Sequence, residues 1–313
     1  MLSPVHIAAG LGILVLIGGA TAGAIHVQQK SQQDEAHEIR VGAASDQLRR
    51  DLSEHTATLS NPARDGRQAA AALRVLIAET VTGSERDEEA VEADLDRRLD
   101  QLRDAADRLD SAARRPVPRP DAPELASAQP LFRQLEDVET QARATAATLR
   151  GSANTAESIS TAIRDLHLAA AGFVSGTDEL PETDDPDAVA AAWRDDLDRL
   201  DPYRQAAEAA ARIEPLADLA AAHLAIIDDL QASGTTALDH LEGGDVDAYN
   251  QHRETELAGA KTLRDQLVEA MDATLPQVVV DVEVAEEHAL GLLNDLEELR
   301  RKTPTQLAST RDG

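Results

Sequence analysis

From Val27 onward the apolar residues recur at alternating spacings of three and four, the repeat of helices that pack along a shared seam. Leu48, Leu52, His55 and Leu59 open the pattern, and Leu95, Leu99, Leu102, Ala106, Leu109 and Ala113 continue it. A longer stripe runs from Phe132 through Ala142, Leu149, Ile159 and Leu166 to Phe173, with one slip near Val138. It passes Gly151 without losing register, so 124–175 reads as one helix. Ile213, Leu216, Ala220, His223, Ile227, Leu230, Gly234, Ala237 and Leu241 make another stripe, on a helix predicted over 187–242. Val278, Val282, Ala285, Ala289, Leu292, Leu296 and Leu299 make the last. "VVVDVEVAEE" has strand-like composition, but its apolar positions carry the helical spacing into an unambiguous helical tail, so helix is predicted there too.

Helix breaks are expected at Asn61-Pro62, Thr82-Gly83-Ser84, Arg115 to Pro123, Gly176 to Pro186, Asp201-Pro202, Gly243-Gly244, Leu275-Pro276 and Thr303-Pro304. Asp185-Pro186 has the form of an N-cap followed by proline at the first helical position. Gly243-Gly244-Asp245 reads as a helix stop followed by a new cap, hence a tight helical hairpin. The expected fold is all-α: an N-terminal transmembrane helix, then an elongated antiparallel helical bundle or coiled-coil rod. Its predicted parts are an anchor over 1–27, a juxtamembrane helical segment over 28–114 and a proline-rich spacer over 115–123. A long-helix bundle over 124–302 and a disordered tail over 303–313 complete it. Alanine occupies many seam positions, which permits close packing but buries little area per residue, so a dimeric partner would complete a thin bundle.

Ahead of that pattern, Ile7 to Ile25 is a run of 19 residues without a charge, close to the roughly 20 needed to cross a bilayer as a helix. The leading "MLSPVH" holds no Lys or Arg, and no twin arginine precedes the run, so a retained anchor in contact with the lipid bilayer through 7–25 is expected. The alternative is a cleaved signal, for which Ala20-Thr21-Ala22 before Gly23 supplies a small-x-small site. Gly19 and Gly23 form a GxxxG, a candidate surface for transmembrane dimerisation. Lys30 biases the bulk of the chain inside, whereas large domains behind N-terminal signal-anchors lie outside, and an extracellular bulk is the expectation.

Composition changes the setting more than the fold. Asp and Glu number 58 against 30 Lys and Arg, a formal charge of −28, and only Lys30, Lys261 and Lys302 are lysines. Such acidity marks either disorder or a salt-adapted surface, and the periodic apolar residues argue for the second. A halophilic, archaeal source is therefore expected. No basic patch is present to neutralise phosphates, which argues against nucleic acid. With no cysteine, disulfides, thiolate metal sites and a cysteine nucleophile are excluded.

The chemistry-bearing residues are sparse. None of the 9 histidines has Glu three residues before it, and no two lie three or four apart. The di-iron bundle motif and the helical zinc pattern are thus missing. Asp34 and His37 are the nearest approach to a ligand pair, in a polar stretch that reads as solvated. "TDELPETDDPDA", 177–188, concentrates carboxylates without the ordered spacing of a calcium loop. No phosphate-binding loop, dinucleotide fingerprint, nucleophile elbow or glycosylation acceptor occurs. No catalytic, cofactor-binding or metal residue is assigned, and no cofactor is expected. His55 and His223 fall on apolar stripes and are candidate buried histidines, either hydrogen-bonded core residues or pH-sensitive groups.

The hairpin Thr235 to Leu267 resembles a turn in the four-helix-bundle ectodomains of chemoreceptors and sensor kinases. Gly243, Gly244, Asp245 and Ala248 stand where those proteins place a small-residue, Gly-Asp-containing turn. An N-terminal span ahead of a helical bundle suits that family too, although no second span follows Leu299 and no signalling domain is present. The reading that unites these observations is a membrane-anchored, single-pass, non-enzymatic structural or interaction protein. Its expected partner is a second copy or another helical protein. The alternative, implied by the resemblance, is a sensor-like ligand-binding ectodomain that signals through a membrane partner. It would have a pocket walled by Trp193, Tyr203 or Tyr249.

Overall fold

The computed structural model describes residues 4–82, 88–118, 128–177 and 185–309; side chains 4–31, 33–34, 175–177, 256–261 and 263–264, with those of Glu88 and Ser309, lie outside that description. Among the described residues the chain is helical and contains no strand. The helices are α1 (Pro4–Thr82), α2 (Glu88–Ala113), α3 (Gln129–Thr177), α4 (Pro186–Ala210), α5 (Ala217–Glu242) and α6 (Val246–Ser309).

Two compact units form. The first gathers Met1–Leu59, Arg114–Thr140 and Asn294–Gly313; the second gathers Ser60–Ala113 and Gln141–Leu293. In the first, Leu48, Leu52 and Leu59 of α1, Phe132 and Leu135 of α3, and Leu296 and Leu299 of α6 are buried. In the second, every α2 stripe position from Leu95 to Ala113 is buried, as are Leu149, Ile159 and Ile163 of α3 and Val278 to Leu292 of the α6 stripe. The three-and-four spacing thus marks the buried face on these helices, because it returns a side chain to one face at each turn. Ala170, Phe173 and Leu230 are only half-buried.

Prolines were expected to end helices, and several of them do not. Pro62 lies within α1, Pro202 within α4 and Pro276 within α6. An interior proline forfeits one backbone hydrogen bond and costs about 3 kcal/mol. Burial on the same face on both sides offsets it: Leu59 and Ala63 flank Pro62, and Thr274 and Val278 flank Pro276, all at 0–1% exposure. The predicted stop at Thr303-Pro304 also fails. α6 runs on to Ser309 through the region expected to be disordered, because Thr303 and Leu307 extend the buried stripe by another turn each.

The helix expected over 187–242 is two helices. α4 ends at Ala210, Ile213 turns extended at φ −99° and ψ 108°, and a short 3-10 turn, Glu214–Leu216, leads into α5. Pro215, which sits between the stripe residues Ile213 and Leu216, cannot donate to the preceding turn. The chain then reverses so that α4 and α5 pack against each other. At Gly234 they approach so closely that a Cβ would lie 2.8 Å from Leu197 Cδ2.

The caps follow the sequence. Asp185 accepts a hydrogen bond from the Asp187 amide at 3.1 Å, with Pro186 opening α4. At the end of α5 the Asp245 amide donates to the His240 carbonyl and the Gly244 amide to that of Leu241, a Schellman closure. It requires the left-handed backbone of Gly244, φ +72°. Asp245 then caps α6 by accepting from the Ala248 amide at 3.0 Å.

Candidate functional site

Both candidate histidines are buried, in different surroundings. His55 is 8% exposed and its Nε2 lies 3.1 Å from Glu139 Oε1. That is the distance of an ion pair, but Nε2 makes no hydrogen bond, so the two groups meet out of alignment. Burial holds the His55 pKa below the ordinary imidazole value.

His223, 2% exposed, is better satisfied. The Tyr203 hydroxyl, 2.5 Å from its Nδ1, reaches it across the α4–α5 hairpin, with the rings edge-on at 5.6 Å between centroids. Phe173 of α3 stacks on Tyr203 at 6.4 Å. Burial, with His167 nearby, lowers the His223 pKa to about 4, and burial alone pushes the Tyr203 hydroxyl up to about 12. At neutral pH the pair is therefore an uncharged imidazole accepting from a phenol. It ties two helices together and is poorly suited to proton transfer, because both pKa values lie far from neutrality.

The aromatics expected to wall a pocket serve the core. Trp193 Nε1–H donates to the Tyr249 hydroxyl at 3.1 Å. Tyr249 packs with Ala190, Ala237 and Leu241, against which Val189, Trp193 and Leu238 close. Beside them, His252 Nε2 donates to the Ser233 carbonyl at 3.1 Å, and the His240 and His252 rings lie 6.1 Å apart.

The open space lies elsewhere. A cavity of about 460 Å³ is lined by the end of α1 (Glu79, Thr80), the first half of α2 (Val91 to Leu99) and the stretch of α3 from Glu157 to Ala171. Val91, Leu95 and Leu99 are buried on its floor, while Leu168 in its wall is 55% exposed. Arg164 pairs with Glu92, and Arg103 reaches Glu157 at 2.5 Å. His167, which adds to the effect of burial on His223, also lines this cavity. Nothing in the sequence singled the place out, because its residues come from three helices and none forms a local motif.

Other expectations find no placement here. Gly19 and Gly23 fall within α1 but outside the described side chains, as does Asp34; most of the 177–188 acidic stretch lies outside the described residues altogether. No helix among the described residues is long and apolar enough to cross a membrane, and the 7–25 run belongs to the side chains left out of that description. Among the described residues no three His, Asp or Glu side chains converge as metal ligands. No protein-family model, curated protein or solved structure matches the chain.

Proposed function

We propose that this chain is a non-enzymatic, membrane-anchored structural or interaction protein of a salt-adapted cell. The 7–25 run holds it in the bilayer, and its helices form an elongated antiparallel rod on the outer side. One observation carries the reading: α1 continues from Pro4 to Thr82 without a break. The uncharged run and the buried Leu48–Ile77 face therefore belong to a single helix, with no flexible linker between anchor and core. A continuous helix transmits position and orientation, which suits a spacer or docking protein; its partner is a second copy or another helical protein.

Protease treatment of intact cells in high salt, with membrane and medium fractions analysed together, tests this. Digestion from outside with a membrane-bound pool is the expected result. Full protection would place the helices inside. Release into the medium with a new N-terminus near Gly23 would make the opening run a signal and overturn the anchor.

A further inference from the structure

We propose that the cavity between α1, α2 and α3 binds a small organic cation with an apolar body, of the alkylammonium class. Its volume of about 460 Å³ falls in the range of roughly 300–1,000 Å³ usual for small-molecule sites. The floor of Val91, Leu95 and Leu99 is aliphatic, and Leu168 presents a large apolar side chain to solvent inside the hollow. Covering these with an alkyl group removes apolar area from water, which is where hydrophobic binding energy arises.

Charge selects the other half of the ligand. Among the described residues, the lining carries Glu79, Glu92, Asp96 and Glu157 against one guanidinium, that of Arg164. Arg164 is held by Glu92 and Arg103 holds Glu157, while Asp96 makes no ion pair among the described residues. The Asp96 carboxylate therefore stays uncompensated at the rim once the bridges among the described residues are counted. An anion would meet repulsion there, and an uncharged alkyl molecule would gain nothing from it. Acidity alone marks most of this protein; what distinguishes the cavity is an acidic rim above an aliphatic floor. An ammonium group on a short alkyl stem matches both.

Calorimetric titration of the purified full chain with n-butylammonium chloride, at fixed potassium chloride, tests the proposal, with butyrate and butanol as controls. Saturable binding of butylammonium alone is expected. Asp96→Asn should weaken it about two- to five-fold, the size of a partly exposed ion pair. Thr161→Trp, at an exposed rim position, should abolish it by filling the space. Asp272→Asn, an exposed carboxylate away from the cavity, should leave it unchanged. Absence of saturation would overturn the proposal, as would equal binding of butanol or butyrate. So would equal weakening by Asp96→Asn and Asp272→Asn, which would trace the effect to diffuse surface charge. If Thr161→Trp fails to fold, the Asp96 and Asp272 pair still decides the outcome.

Discussion

Along α2 and the stripe of α6 from Val278 to Leu299 the buried positions are Leu, Val and Ala turn after turn. The α4–α5 hairpin is built differently. Trp193 and Tyr203 lie on it, and Phe173 and Tyr249 pack against it, so it gathers every aromatic of the chain except Phe132. In the aliphatic seams stability is spread over many small volumes, and the loss of any one is felt in proportion to the space it leaves. In the hairpin it is concentrated in a few aromatic side chains whose polar tips must be satisfied once buried. The first kind of packing is insensitive to pH; the second contains a titratable group.

The largest expected effect tests the seam. Leu149 is fully buried, and Leu149→Ala should destabilise by roughly 2–5 kcal/mol, read from chemical denaturation; a loss under 1 kcal/mol would mean that the surrounding helices close the gap. Next comes the hairpin's dependence on acid. Between pH 6.5 and about 4 the unfolded chain takes up a proton that folded His223 refuses. Stability from this group is therefore complete above 6.5 and falls as pH falls through that window, by about 3 kcal/mol. Melting curves across the window should flatten in His223→Gln; an unchanged slope would assign the acid sensitivity to other groups.

Two smaller changes separate polar tips from backbone geometry. Trp193→Phe keeps most of the ring but deletes the hydrogen bond to Tyr249, an expected loss of about 1 kcal/mol by circular dichroism melts. Gly244→Ala meets no neighbour within 4 Å, so only the left-handed backbone resists it, at about 1–2 kcal/mol. A neutral Gly244→Ala would show that the turn can be rebuilt another way. Smallest is Arg108→Ala. Arg108 bridges Asp65 of α1 at 3.1 Å and Asp104 at 2.9 Å, but all three side chains are about half exposed or more. Its removal should cost at most about 1 kcal/mol, and less as salt rises.

The residues that could be read from sequence are those whose role is local. The α2 and α6 stripes and the caps at Asp185 and Gly244 are set by side-chain spacing within a few turns, and they stand where the spacing put them. His55 and His223 were legible as buried for the same reason. The break at Pro215 was not, because Ile213 and Leu216 on either side continue the repeat and conceal a reversal decided by tertiary packing. Conversely Pro62 and Pro276 look like stops, and become interior residues only because the buried face resumes beyond them. The Tyr203–His223 bond and the cavity need the hairpin and three helices in place, and no one-dimensional pattern contains them.

The bridge from Arg74 to Glu283 spans 209 residues, and this separation has a kinetic meaning. Contacts between residues so far apart close a large loop, an entropic cost met late in folding. α4 and α5, only a few residues apart, are joined by local contacts and can pair as soon as both have left the ribosome. α1, made first, can meet α2 and α3 early, but its contacts with α6 wait until nearly the whole chain has been synthesised. The face of α1 that α6 covers thus stays open for most of the chain's synthesis.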